Sequence, residues 1–452
     1  MRISSAFAIA SQVGAGAPPR DTIVSLKSGD GAVDIRKLPK MLEDIGGTPD
    51  EKFASFLETA EITSLNYVHS HVVQTSPSTI DSDALCYFVA TASHKLSLRY
   101  QCPEEGYGKA YGLDEDLHVN DYDAGRQKHL KWMEMGEVWK LAATKFVRKP
   151  KVAVMDSGIN FAIPDFDPLF EDHQKQSGGY LQGGWNFFTN SPILTHKYNH
   201  GTQVCKILAA KSNNTFGIAG VAPEVSLVPL QVVDDNGVAP LSKLMAAFNM
   251  AIDVKVDIAT EAIEYNLTTA QRGLLWEALR TVQQNGILVV SAAGNSHEDA
   301  SAILPSGFGG PLGICVTSLM DKKSSNVLSI FSNFGQTVDL ATYGVRVFSG
   351  RKGDVRGGRP RTLTGTSAST AIAAGIAAIM VSMDVEPSMV KSLMLARYDP
   401  VTSKYPIRFP QKIRGGAINA LKTVKYTIRW LSSRSRGLRG NDRLATISPP
   451  LV

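Results

Sequence analysis

The chain has 452 residues, 43% of them hydrophobic and 20% charged, with a formal net charge of +5 and a pI near 8.8. That is enough apolar material for a sizeable core in one large domain or two smaller ones. The basic excess contains no Lys/Arg block interleaved with aromatics, which argues against a nucleic-acid partner. No apolar stretch reaches the roughly 18–20 residues of a membrane-spanning helix; the longest candidate, Ala371 to Val381, is too short.

The N-terminus, MRISSAFAIASQVGAGA, carries one Arg, a short apolar patch and Ala15-Gly16-Ala17. It reads as a signal peptide over residues 1–17, and hence the chain as secreted. Cys86, Cys102, Cys205 and Cys315 lack C-x-x-C spacing, which disfavours a zinc site and leaves any disulfide unpaired.

From about 20 to 115 the chain reads as a small α+β unit. TIVSLKSG is a short alternating strand, PDEKFASFLETAEITSL has helical spacing, and ALCYFVATA is a second β-rich run. QCPEEGYGKAYGLDEDLHVNDYD follows, rich in Gly and acids, and reads as an exposed connector.

From about 130, apolar runs alternate with amphipathic helices. KVAVMDSG is a buried strand ending at an acid, and HGTQVCKILAAK is a helix with Val204, Ile207 and Leu208 on one face. The strand VSLVPLQVV, the helix LSKLMAAFNMAIDV, the strand VDIATEAI, the helix LLWEALRTVQQNG closed by Gly286, and the strand ILVVSAAGN come next. The alternation predicts a doubly wound, mostly parallel α/β sheet with helices on both faces. Sites in such sheets lie beyond the C-terminal strand ends. The tail RWLSSRSRGLRGNDR is basic and reads as flexible from 431 onward.

Four polar residues fall at element termini. Asp156 ends KVAVM, His200 opens HGTQV, Asn295 follows SAAG, and Ser367 stands in the first turn of the buried run LTGTSASTAIAAGIAAIMV. Each has a plain alternative: a turn acid, a surface or capping His, a turn Asn, a helix cap. Together they supply the parts for acyl transfer, with a nucleophile, a base, an acid that orients the base, and an oxyanion donor. The order Asp, His, Ser and the absence of G-x-S-x-G disfavour an α/β-hydrolase esterase or acyltransferase.

The motifs VAVMDSGI, HGTQV, AAGNS and GTSASTAIAAG, in this order, resemble those of the subtilisin-like serine proteases, the subtilases. The resemblance runs from about 120 to 425. It implies a subtilisin-like catalytic domain over 119–430, a catalytic triad of Asp156, His200 and Ser367, and an oxyanion donor in Asn295. It also implies an endopeptidase acting on protein or peptide substrates, with no cofactor needed for the chemistry. Residues 18–118 resemble the family's inhibitory prodomain, so that the chain would be a zymogen restrained by its own N-terminal unit. Cleavage after Leu113 or Leu117 is the expected maturation step, and the chain is expected to be a monomer.

The departures are Gln203, Cys205 and Lys206 after the His motif, Thr364 and Ala371 around the Ser motif, and VDIATEAIEYN. The resemblance makes Ala262, Ile263 and Glu264 substrate-binding, together with Ala292, Ala293 and Gly294. Cys205 reads as packing, with mercurial sensitivity as the alternative. Glu264 either favours basic side chains or narrows access. Asp165 and Asn214 resemble two ligands of a structural calcium. Asn213 and Asn266 stand in N-x-[ST] patterns. The altered substrate strand and Lys206 motivate the rival reading, a catalytically silent homologue that binds peptides or acts as a scaffold.

Overall fold

The computed structural model describes residues 20–28, 31–65, 70–75, 80, 82–96, 98–101, 114–167, 169–265, 267–321, 326–402 and 412–437. The proposed signal peptide, Cys102, Leu113, Asn266 and the chain beyond 437 lie outside these residues. The chain divides into two compact units, Met1–Ala110 and Tyr111–Val452. The division falls earlier than the expected boundary at 118.

The first unit is α+β. Its antiparallel sheet has the order β2 (Gly31–Ala32), β1 (Arg20–Ser28), β4 (Ser70–Thr75), β3 (Ile62–Leu65), and β5 (Arg99–Gln101) also pairs with β1. Helices α1 (Leu38–Asp44), α2 (Glu51–Thr59) and α3 (Ser82–Lys95) accompany it. Asp50 caps α2 by accepting the Phe53 N–H at 3.0 Å. Two expectations fail here. The run ALCYFVATA lies in α3, not in a strand: Leu85, Val89 and Ala92 are buried at i, i+4 and i+7, a helical stripe that the β-rich composition disguised. The helix expected over PDEKFASFLETAEITSL stops at Thr59, and Ile62–Leu65 pairs as β3. Cys86 is disulfide-bonded.

The second unit is built on a seven-stranded sheet, order β14-β13-β12-β11-β6-β10-β9. The strands are β6 (Lys151–Asp156), β9 (Trp185–Asn186), β10 (Ser226–Gln231), β11 (Ile258–Glu261), β12 (Leu288–Ala292), β13 (Gly313–Leu319) and β14 (Leu340–Tyr343). Every pairing in it is parallel. Two antiparallel hairpins flank it, β7 (Asp172–Gln174) with β8 (Tyr180–Gln182) and β15 (Val347–Arg351) with β16 (Pro360–Leu363). The strands are apolar on both faces because both faces are covered. Val152 and Val154 of β6 point into one core, with α6 (His200–Ala209) and α9 (Thr366–Ser382). Ala153 and Met155 point into the other, with α7 (Leu241–Asp253) and α8 (Thr269–Gln284). The expected doubly wound sheet is thus present.

Helices α4 (Lys128–Trp132), α5 (Met135–Ala143), α10 (Pro387–Leu395) and α11 (Ala420–Gly437) complete the unit. All 17 residues of α9 are buried, which explains why its sequence carries no charge and is mostly small and apolar. No single helix among the described residues is long and apolar enough to cross a membrane.

Two more expectations need correction. The described part of the presumed connector is only partly exposed: Leu117, Val119, Asp121 and Asp123 are buried, while Glu115, Asp116 and His118 face solvent. Asp121 and Asp123 are partnered, not solvated. Asp121 accepts the Asn213 N–H at 2.9 Å, and Asp123 grips the Arg351 guanidinium at 2.6 and 2.7 Å. A cut after Leu117 would leave that side chain, part of the second unit's core, on the wrong side of the break. The tail expected to be flexible from 431 instead continues α11 to Gly437, anchored by buried Trp430.

Candidate active site

Asp156 is the last residue of β6, at the C-terminal end of an interior strand of the sheet. Its Oδ1 and Oδ2 lie 2.8 and 2.9 Å from His200 Nδ1. The Ser157 N–H donates to the same Oδ1 at 2.7 Å. Ser157 Oγ in turn accepts the Gly201 N–H at 2.9 Å, satisfying an orphan donor at the start of α6. Gly201 is required by the approach: a Cβ there would run into the Ser157 carbonyl and stand 3.2 Å from Asp156 Oδ1. His-Gly in HGTQV is therefore a packing demand as well as a chemical one. Burial pulls the His200 imidazole down, but the charge and hydrogen bond of Asp156 outweigh it and hold the ring above its ordinary value. Tyr198 lies roughly parallel to the imidazole, centroids 6.2 Å apart.

Ser367 is the second residue of α9, and Gly365 occupies the N-cap position with no side-chain cap bond. The hydroxyl at the mouth of this buried helix is not a cap. Gly365 has φ 144, a conformation that favours glycine. Asn295 Oδ1 accepts the Thr366 N–H at 2.9 Å and the Thr366 hydroxyl at 3.2 Å. The amide Nδ2 has no hydrogen-bond partner among the described residues. No hydrogen bond joins His200 to Ser367 among the described residues, a contact that often tightens only with substrate bound.

Asn333 was not singled out in the sequence, yet it organises the loop that carries Asn295. Fully buried, it donates Nδ2 to the Ala293 carbonyl at 2.9 Å and its backbone N–H to the Gly294 carbonyl at 3.0 Å. Its Oδ1 accepts the N–H groups of Ser296 and Glu298, both at 3.0 Å. The sequence offers only an Asn in FSNFG as a signal.

Of the residues assigned to substrate, Ala262 and Ile263 are half-buried and Glu264 is exposed directly after β11. Glu264 Oε2 approaches the Asn295 N–H at 3.4 Å. Ala292 and Ala293 are buried, and Gly294 turns the chain at φ 103. A second missed residue is Glu261. It is buried, and burial drives its carboxyl up to about 8, only partly offset by hydrogen bonds from Ser291 and Ile263. Cys205 is fully buried, and burial pushes its thiol well up, so the packing reading holds over mercurial reactivity.

The calcium drawn from the resemblance does not fit the residues present. Asp165 is fully buried, and everything that touches its carboxylate is a donor: Asn214 Nδ2 at 3.4 Å, the Ile218 N–H at 3.3 Å and the Lys206 ammonium at 3.4 Å. The Asn214 amide oxygen is spent on the Phe216 N–H at 2.9 Å. Gln203, another departure from the family pattern, accepts the Ser349 hydroxyl at 2.8 Å and so ties α6 to β15.

Strand-end acid, helix-start imidazole and a loop amide seated on the Ser367 helix are the kinds of group that acyl transfer uses. The sequence profile of the subtilase family matches residues 148–406, and the chain belongs to that family of serine proteases. Thermitase from Thermoactinomyces vulgaris is 28% identical over 309 residues, 68% of this chain and 98% of thermitase. A thermophilic serine proteinase from a Bacillus species (strain AK1) is 29% identical over 63% of each chain. A solved protease structure from Pseudoalteromonas arctica, 20% identical, covers 68% of this chain and 99% of its own at a TM-score of 0.52, a likeness of fold.

Proposed function

We propose that the chain is a serine endopeptidase in which Asp156, His200 and Ser367 cleave peptide bonds through an acyl-enzyme. The observation that carries the reading is the paired contact of Asp156 with His200 Nδ1 at 2.8 and 2.9 Å. It fixes the tautomer that leaves Nε2 as the base. Ser367 Oγ attacks the scissile carbonyl carbon while Nε2 takes its proton. The carbonyl oxygen gains the negative charge and is met by Asn295 Nδ2 and the Ser367 backbone N–H, an orphan donor of the helix start. The imidazolium then protonates the leaving amine. A water, deprotonated by Nε2, attacks the ester carbon; the bond to Ser367 Oγ breaks, Nε2 returns the proton to that oxygen, and the acid is released.

The zymogen reading rests on the separate fold of Met1–Ala110, outside the matched family segment. In it, this unit inhibits the second until it is cut away. Secretion is supported by the disulfide at Cys86, which suits an oxidising compartment.

The test is the intact mass of wild type beside Ser367→Ala, together with labelling by an active-site organophosphonate. Loss of a fragment of about 110 residues by the wild type alone, the size of the first unit, and label on Ser367 are expected. A wild type that stays unlabelled but binds peptides would instead establish the silent homologue.

A further inference from the structure

Two lysines of the second unit are almost wholly buried, and each ends among oxygens. Lys206, in the last turn of α6, is 2% exposed. Its Nζ lies 2.6 Å from Asp354 Oδ1 and 3.4 Å from Asp165 Oδ2. Gly350, at φ 109, leaves the room, since a Cβ there would stand 2.5 Å from the ammonium. Lys391, on α10, is 5% exposed. Its Nζ donates to the carbonyls of Gly310 at 3.0 Å and Gly313 at 2.7 Å, and lies 2.9 Å from Asp339 Oδ1. Three acceptors meet three ammonium protons.

Carboxylates and backbone carbonyls converging from distant parts of the chain are what a hard divalent cation takes as ligands. At Lys391 a covalently attached ammonium already stands among two carbonyls and a carboxylate, and at Lys206 between two carboxylates. Lysine is rarely buried at this depth unless such partners repay its desolvation. Each lysine also does a cation's mechanical work. Lys206 joins the helix that carries His200 to the turn between β15 and β16. Lys391 joins α10 to the turn before β13 and to the residue that leads into β14.

We propose that Lys206 and Lys391 are the resident cations of this protein, neutralising by side chain the carboxylates of Asp165, Asp354 and Asp339 in place of a metal ion. Folded stability then does not depend on free metal, because a tethered cation cannot be diluted or chelated. This goes beyond the proteolytic reading and does not rest on it.

The experiment is thermal unfolding of the full chain bearing Ser367→Ala, which prevents self-digestion, in EDTA and in millimolar calcium. The expected result is the same Tm in both. Lys206→Ala and Lys391→Ala, made in that background, should each lower Tm in EDTA by about 5–10 °C, the scale of an orphaned buried carboxylate. Calcium should restore part of that loss in the variants only. A parent whose Tm falls in EDTA overturns the proposal, and that comparison decides even if a variant does not fold. Variants as stable as the parent, or destabilised but indifferent to calcium, overturn it as well.

Discussion

The side-chain oxygen of Asn295 and the backbone N–H of Thr366 stand 2.9 Å apart, so the residue proposed to bind the oxyanion also locks the start of the Ser367 helix. The two duties can be separated. Asn295→Asp keeps an acceptor for Thr366 and loses the donor; Asn295→Ala loses both. Both variants should lose about 10²–10³ in kcat with little change in KM, a magnitude carried over from a subtilisin. The Ala variant alone should also lose stability, about 1 kcal/mol for the hydrogen bond. Steady-state kinetics beside thermal unfolding separates the effects, and equal kcat in wild type and Asp variant would remove Asn295 from the chemistry.

Gly201→Ala probes the approach of α6 to β6. The added methyl meets the Ser157 carbonyl and the edge of the Asp156 carboxylate, both on rigid elements. The helix start must shift, at a cost of about 1–3 kcal/mol, carrying His200 with it. A drop of at least about tenfold in kcat/KM is expected for a misplaced base. Undiminished activity would show that α6 has slack at this point.

Asp156→Asn should change both rate and pH dependence. In the wild type, Asp156 holds the His200 imidazole above its ordinary value against the effect of burial. Catalysis needs the neutral ring, so the acidic limb of kcat/KM should lie above about pH 6.5. The raised value also means that the His200 contribution to stability is complete below about pH 6.5 and is lost as pH rises through the folded value. In the variant burial is unopposed and the limb should move to lower pH, with kcat down by about 10⁴. An acidic limb that stays in place would mean that another group sets it.

The parts of the site that could be read from sequence are those whose chemistry and local geometry coincide. KVAVMDSG is an apolar run that stops at an acid because a buried parallel strand ends at the site, and HGT carries its glycine because β6 passes against it. Residues whose role comes from the tertiary environment were not legible. Asn333 becomes an organiser only when β12 and the turn after β13 bring four backbone groups around it. Asp121 and Asp123 sat in a segment whose acidic composition suggested solvent, and their partners are 92 and 228 residues away. In α3, aromatic and β-branched residues suggested a strand, while packing of Leu85, Val89 and Ala92 decided for a helix.

Glu261 supplies the last prediction. It ends β11 in register with Met155 and Ser291, on the sheet face covered by α7 and α8. Its Oε1 has no hydrogen-bond partner among the described residues, Oε2 accepts the Ile263 N–H at 2.9 Å, and burial lifts the carboxyl to about 8, with the nearby Asp156 charge adding to the rise. The folded state therefore holds a proton here that the unfolded chain releases near pH 4.5. A raised value gives stability that is complete below about pH 4.5 and is lost as pH rises through about 8. At about 1.4 kcal/mol per pKa unit, the loss by pH 9 is on the order of several kcal/mol. Glu261→Gln cannot ionise and keeps the shape, so its Tm should fall less between pH 5 and 9 and exceed the parent's at the alkaline end. The comparison is best made in the Ser367→Ala background by calorimetry across that range. Parallel Tm curves for the two proteins would mean that Glu261 is already ionised at neutral pH, with its charge met by a group that the buried oxygen does not touch.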